Sequence, residues 1–297
     1  MTTGTPTTGT NVLRIPHTFY TFPMRALAFI GFLLPSAHAE YAQVHGFKMY
    51  YEVHGQGRPV VLLHGGMNTV ETSFAKQILV LAQNHRVIAI EQMAHGHTAD
   101  VPGRPLTYEA MAEDTAALLV QLGVRHADLI GWSDGGQIAL RLAFTHPELI
   151  RRVIASGVGF GATPAVAKDL GPEKDFGKLA AGWFPEGYAA YKRVSPDGPE
   201  HWQIVAVKGR AMWSAPTWGF RATDLAKIKL PVLIVAGDHD LVSLEVTSRM
   251  VRAIPKAQLL ILPGTGHTTF QDRPAWLNPI LLDFLDRPDP PSPVVAK

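Results

Sequence analysis

The chain has 297 residues, 46% of them hydrophobic, which suits one large domain or a domain carrying an insertion. Its 27 Lys and Arg nearly balance 25 Asp and Glu, giving a formal net charge of +2 with no long run of either sign; this argues against nucleic acid as a partner and for an ordinary soluble enzyme. There are no cysteines, so disulfides, thiolate catalysis and zinc–thiolate sites are excluded.

Residues 1–23, rich in Thr, Gly and Pro without any period, read as a disordered leader. Met24-Arg25 is followed by the apolar run 26–34 and then by Pro35-Ser36-Ala37-His38-Ala39. A basic residue, a short apolar core and an Ala-x-Ala end read as a secretory signal peptide cleaved after Ala39, so a periplasmic or secreted protein is expected. The run is too short to span a bilayer permanently, and no stable membrane anchor is expected after cleavage. The alternative is an apolar segment packed on the domain of a cytoplasmic protein, and Met24 is a second candidate start.

From Glu40 onward the chain alternates between two periods. Residues 48–53 alternate like an edge strand and end at His54-Gly55-Gln56-Gly57. Residues 59–63 are continuously apolar, as a strand buried on both faces would be, and 86–90, 127–130, 153–155, 231–236 and 258–262 follow as further core strands. Between them lie helical stretches; 108–122 places Met111, Ala112, Thr115, Leu118, Leu119 and Leu122 on one face. Alternating strand and helix predicts an α/β fold, a mostly parallel sheet covered on both sides. The interval 159–223 breaks the alternation. It has no strong buried strand but carries Trp183, Tyr188, Tyr191, Trp202, Trp213 and Trp218, and it reads as a small helical cap over the C-terminal edge of the sheet. The expected organisation is therefore 1–39 leader and signal peptide, 40–158 with 224–288 core, 159–223 cap, and 289–297 a loose Pro-rich tail.

Four short motifs stand at strand ends. His64-Gly65-Gly66-Met67 follows the strand at 60–63, and Gly131-Trp132-Ser133-Asp134-Gly135 lies between the strand at 127–130 and a helical pattern at 137–143. Gly237-Asp238-His239-Asp240 follows the strand ending at Ala236, and Pro263-Gly264-Thr265-Gly266-His267-Thr268 follows the strand ending at Leu262. A Gly-x-Ser-x-Gly between strand and helix reads as a nucleophile elbow, a turn so sharp that the serine backbone is strained and its hydroxyl is lifted clear of the sheet. With the other three motifs in this order, the chain resembles the α/β-hydrolase superfamily over roughly residues 45–285.

The resemblance implies Ser133 as nucleophile, Asp240 as acid and His267 as base, in that family's chain order. Asp238 competes for the acid's role, and either aspartate could instead be a turn residue bonding its own backbone. His267 is one of 13 histidines and is picked out by its place after the last core strand. The resemblance also implies a backbone oxyanion hole from Gly66, with Met67 as the fallback, and from Asp134; His64 is expected to be structural. The loop Glu91-Gln92-Met93-Ala94-His95-Gly96-His97-Thr98 departs from the family's pattern, with Glu for Asp and no Arg. Its His95 and His97 could be read as metal ligands, but no further ligand stands at metal spacing, so neither metal nor cofactor is expected.

A serine nucleophile favours acyl transfer to water on a small-molecule ester, thioester, lactone or amide, or carbon–carbon cleavage. A perhydrolase, or a slow or non-catalytic ligand-binding protein on the same scaffold, is the competing expectation. Gly-Trp-Ser-Asp-Gly-Gly resembles the valacyclovir hydrolase branch, which implies that the Asp134 carboxylate could anchor a substrate cation. Trp132, Met67 and Asp134 are the candidate substrate contacts, and the cap aromatics suggest an apolar pocket unless they form the cap's own core.

Overall fold

The uninterrupted apolar runs become the centre of a sheet. In the computed structural model, β1 (His38–Val44), β2 (Phe47–His54), β3 (Arg58–Leu63), β4 (His85–Ile90), β5 (Ala127–Trp132), β6 (Ile150–Ser156), β7 (Val232–Gly237) and β8 (Ala257–Leu262) are ordered β1-β2-β4-β3-β5-β6-β7-β8. The β1–β2 and β2–β4 pairs are antiparallel and the other five are parallel. This is the α/β-hydrolase fold. Description covers Met1 and residues 38–160, 170–215 and 219–288, and the elements lie in the unit Pro35–Lys297. The expected leader and most of the expected signal peptide, residues 161–169, Trp218 and the tail from 289 fall outside the described residues. No helix among the described residues is long and apolar enough to cross a membrane.

Alternating side chains of the central strands feed two apolar layers. Val61, Leu63, Leu129 and Val153 point into one, closed by α2 (Tyr108–Gln121) and α3 (Asp134–Thr145). Val60, Leu62, Ile130 and Trp132 point into the other, closed by α1 (Val70–Leu81) and by residues of the C-terminal helix such as Leu277, Leu281 and Phe284. Burial on both faces is why these strands read as solid apolar runs with no polar alternation. Met111, Ala112, Thr115, Leu118 and Leu119 of α2 are all buried, as their spacing requires.

Two expectations need correction. Residues 48–53 do not form the edge: β2 is flanked by β4 and by β1, whose first four residues are exposed and carry no apolar signal. β8 does lie at an edge, and there it is not doubly buried, for Leu259 and Ile261 are each 41% exposed.

The interval between β6 and β7 is helical where it is described: α4 (Phe176–Trp183), α5 (Pro185–Val194), α6 (Trp202–Ser214) and the short α7 (Ala222–Leu225). Then come α8 (Leu244–Ala253), the short α9 (Thr269–Asp272) and α10 (Pro274–Asp286). Strand order reverses at β3, which pairs with β4 on one side and β5 on the other. A crevice therefore opens outside the carboxyl ends of β3 and β5, the position where open α/β sheets hold their sites.

Candidate active site

Ser133 occupies that crevice because its backbone is forced there. Its φ of 54° and ψ of −117° lie in a region an L-residue adopts only under constraint. Its N–H donates to Ser156 O at 2.7 Å, which ties the turn to β6. The turn also needs bare backbone on either side. A Cβ at Gly131 would lie 2.2 Å from Gly135 O, and one at Gly135 would lie 1.9 Å from Leu63 O. Substituting either glycine would push the serine off the crest of β5.

The loops after β7 and β8 bring two more groups to it. His267 Nε2 is 2.9 Å from Ser133 Oγ, and His267 Nδ1 is 2.7 Å from Asp240 Oδ1. The carboxylate of Asp240 is buried, while the imidazole of His267 is partly open. Asp240 Oδ1 also accepts the Val242 N–H at 3.0 Å. Asp238 is used differently. Its Oδ1 accepts the Thr265 N–H at 3.1 Å, and backbone donors at Gly264 and Thr265 hold its carboxyl below the usual range. The acid in reach of His267 is therefore Asp240, while Asp238 binds the two loops together.

At the other side of Ser133, the turn after β3 presents Gly66. Met67, with φ 59°, turns its N–H away to donate to His95 Nε2 at 3.2 Å, so that amide is already committed. Gly66 lines the same cavity as Ser133 and Asp134, the first residue of α3.

The histidines around the turn are structural. His64 Nδ1 lies 2.8 Å from Gly65 O and its Nε2 accepts the Gln92 N–H at 3.0 Å. His95 Nδ1 lies 2.9 Å from Met93 O and its Nε2 accepts from Met67. A carbonyl needs a donor and an amide needs an acceptor, so each ring carries its single proton on Nδ1. Burial pushes His64 down to about 3 and His95 below its ordinary value, the latter opposed by the Met93 carbonyl and the nearby acids. His97 instead pairs with Glu91 at 2.9 Å, and that bond raises its pKa. Glu91 also accepts the His97 and Val70 amides, so it organises this loop despite replacing the family's Asp. Both nitrogens of His95 are spent on backbone, which removes the His-x-His pair as a metal-binding unit.

The candidate substrate contacts require revision. Trp132 points through the sheet into the layer opposite the crevice, and its Nε1 donates to His267 O at 2.7 Å; it braces the loop of the imidazole and does not line the cavity. Met67 is 2% exposed and packs in the core layer next to Gly209 of α6. Asp134 does face the cavity, but its carboxylate is occupied: Oδ1 accepts the Tyr108 hydroxyl at 2.6 Å, and both oxygens accept Trp213 Nε1, at 3.0 and 3.1 Å. Burial pushes the Asp134 carboxyl up, and burial followed by the Asp134 charge pushes Tyr108 well above its ordinary value.

Above Ser133 lies a cavity of about 230 Å³, partly open to solvent, whose walls include Leu170, Trp183, Phe184, Trp213, Leu241 and Val242. The aromatics of the helical interval divide between two tasks. Trp183 and Trp213 face this cavity, whereas Trp202 packs on Tyr188 and Tyr191 and donates to Gly177 O at 2.9 Å. Sequence reading did not single out Tyr108, Phe184 or Gly157. Gly157, with φ 65°, leaves room for the imidazole, since a Cβ there would lie 2.6 Å from His267 Cε1. Only the positions of Gly157 directly after β6 and of Tyr108 at the start of a helix could have drawn notice.

Comparisons with known proteins agree with this fold. The model of the alpha/beta hydrolase family matches residues 60–280. A protein of Caulobacter sp. (strain K31), provisionally named carbamate hydrolase RutD, is 27% identical over 261 residues, covering 80% of this chain and 95% of that one. Among solved structures, Est816, described as an N-acyl homoserine lactone degrading enzyme, is 26% identical with a TM-score of 0.65, over 82% of this chain and all of its own. The enol-lactonase of Burkholderia xenovorans LB400 shares the fold at TM-score 0.67 and 23% identity, over 84% of this chain and 100% of that one. The chain belongs to the alpha/beta hydrolase family and is an enzyme of that family, a hydrolase.

Proposed function

We propose that the protein is a serine hydrolase that cleaves a small ester or lactone through an acyl-enzyme, with Ser133 as nucleophile, His267 as general base and acid, and Asp240 as the group that orients the imidazole. The unbroken chain from Ser133 Oγ through His267 to Asp240, at 2.9 and 2.7 Å, carries this reading. A serine hydroxyl is a weak nucleophile at neutral pH. His267 Nε2 takes its proton as Oγ bonds to the substrate carbonyl carbon, and Asp240 keeps the other ring proton on Nδ1 and stabilises the imidazolium. The carbonyl oxygen becomes an oxyanion held by the Gly66 and Asp134 amides, each such donor contributing on the order of 3 kcal/mol. Collapse expels the alcohol, which receives the proton from His267. Water, deprotonated by the same imidazole, then attacks the acyl-enzyme and releases the acid and free Ser133 Oγ. The helices between β6 and β7 act as a cap that excludes bulk water from this exchange. A lactone would follow the same steps with the alcohol still tethered, and the likeness to Est816 supports including lactones.

The test is labelling with a fluorophosphonate probe, together with hydrolysis of p-nitrophenyl acetate, p-nitrophenyl butyrate and γ-butyrolactone. Wild-type protein is expected to be labelled once and to turn over at least one of these substrates. Ser133→Ala is expected to lose both properties, and activity that survives in that variant sinks the proposal.

A further inference from the structure

The carboxylate next to the nucleophile has a use that its sequence motif does not disclose. Its Oδ1 receives the Tyr108 hydroxyl and its two oxygens share Trp213 Nε1, so one side chain links α2, the start of α3 and the end of α6. The indole held in this way lies over the oxyanion turn. A Cβ added at Gly66 would meet Asp134 Oδ2 at 2.3 Å and Trp213 Cζ2 at 2.7 Å. Gly66 must therefore be glycine because the indole and the carboxylate already fill the space beside it. Phe176 and Phe184 back the indole with ring centres 6.3 and 6.2 Å away. A second tie fixes the same helix, where Lys208 Nζ reaches both oxygens of buried Asp100, at 2.6 and 2.8 Å. With α6 fastened to the core at Lys208 and again at Trp213, the indole is a fixed wall of the cavity.

We infer that Trp213, held by Asp134, is the specificity-determining wall of this site, and that the Asp134 carboxylate is committed to that wall and does not receive a substrate cation. The site then takes short, neutral, apolar acyl compounds and refuses ammonium-bearing ones. This deepens the serine-hydrolase reading and rests on it. Among the described residues lining the cavity, only Asp134, Tyr108 and His267 can carry charge. An incoming ammonium would have to shed its water to share a carboxylate that is 7% exposed and already holds Trp213 and Tyr108, or stand unpaired among Leu170, Leu241 and Val242, and either course carries a desolvation cost that a neutral group escapes. A long acyl chain would meet the indole, which its bonds to Asp134 prevent from turning aside.

The experiment measures kcat/KM on p-nitrophenyl acetate, butyrate and octanoate, and on an isosteric pair, p-nitrophenyl 4-(trimethylammonio)butyrate and p-nitrophenyl 5,5-dimethylhexanoate. Wild-type protein, Trp213→Phe, Trp213→Ala and Asp134→Asn are compared. Wild-type protein is expected to favour the neutral member of the pair by about tenfold or more, and Asp134→Asn to keep that preference. Trp213→Ala is expected to raise the octanoate-to-acetate ratio about tenfold, and Trp213→Phe, which keeps a ring but loses the N–H, to raise it less. If Trp213→Ala does not fold, Trp213→Phe and Trp213→Leu carry the comparison. A wild-type preference for the ammonium ester that disappears in Asp134→Asn overturns the inference, as does an unmoved chain-length ratio in every folded Trp213 variant. Either failure leaves Ser133-dependent turnover in place. Absence of that turnover and of fluorophosphonate labelling overturns the serine-hydrolase reading, and this inference with it.

Discussion

At the scale of single residues, the site depends on backbone that only glycine can supply. Gly157 shows this best, because a methyl group there meets no other loop but the imidazole itself, 2.6 Å from His267 Cε1. Gly157→Ala is expected to displace His267 from Ser133 and lower kcat about 100-fold while the far-ultraviolet circular dichroism stays native; kcat within twofold of wild type would mean that the ring moves aside freely. The two loop aspartates should separate as clearly. Asp240→Asn replaces the carboxylate with an amide that can donate to Nδ1 and so favour the wrong imidazole tautomer, and it should cost about four orders of magnitude in kcat. Asp238→Asn, which only weakens a bond to the Thr265 amide, should act mainly on stability. Comparable kcat losses in the two variants would refute this division. Ser133, Asp240 and His267 could be read from sequence because each sits in a short motif at a strand end. The partners of the Asp134 carboxylate could not, since Tyr108 and Trp213 reach it across 26 and 79 residues of chain and no local pattern marks either pairing. The suggested roles of Trp132 and Met67 as substrate contacts fail for a related reason. Proximity in sequence to a strained turn says nothing about which face of the sheet a side chain enters, and Trp132 enters the opposite one.

At the scale of elements, the central strands and α2 were legible because burial on one or both faces writes its period into the sequence. β1 was not, since the burial of its seven residues runs from exposed at His38 to alternating only at Ala42–Val44. The apolar content of β8 misled in the other direction, because a run of Leu and Ile at an edge reads like one at the centre. How α6 is held depends on charge and could not be read from periodicity at all. Asp100 is buried in the loop after β4 and accepts Lys208 Nζ at 2.6 Å and His201 Nε2 at 2.9 Å. Removing Lys208 leaves a buried carboxylate with only part of its partners, which costs more than the pair itself is worth. Lys208→Met is therefore expected to lower unfolding stability by about 2 kcal/mol, read from urea denaturation, with Asp100→Asn in the same background recovering part of the loss. Equal stabilities for Lys208→Met and wild type would show that the clasp holds nothing.

For the whole molecule, the two structural histidines beneath the turn at Gly65–Met67 are expected to govern the response to mild acid. His64 and His95 are fully enclosed, each a neutral ring that accepts a backbone amide through Nε2, so protonating either one breaks a bond inside the core. The folded-state pKa of His64 is depressed from 6.5 to about 3 by burial, and that of His95 is depressed by the same cause. A histidine depressed on folding binds fewer protons folded than unfolded between those two values. Its contribution is thus fully present above the unfolded pKa and is lost as pH falls through the window below 6.5. For His64 the loss approaches about 1.4 kcal/mol per pH unit well below 6.5, and His95 adds a loss of the same sign. His97 has the opposite sign, because its bond to Glu91 raises its pKa and adds stability that is lost as pH rises. Asp128 and Asp134, pushed up by burial, likewise take up protons more readily folded than unfolded and partly offset the loss at lower pH. Two buried rings against one half-open pair should leave a net fall in the urea midpoint between pH 6.5 and 5, where ordinary carboxylates remain charged. His64→Gln keeps an amide N–H for Gly65 O and a carbonyl for the Gln92 amide but has no titration, so it separates the histidine from the rest. Its midpoint is expected to fall less steeply over that interval than the wild type's, whatever its stability at pH 8. Parallel slopes for the two proteins would place the acid sensitivity elsewhere than beneath the turn that holds Gly66.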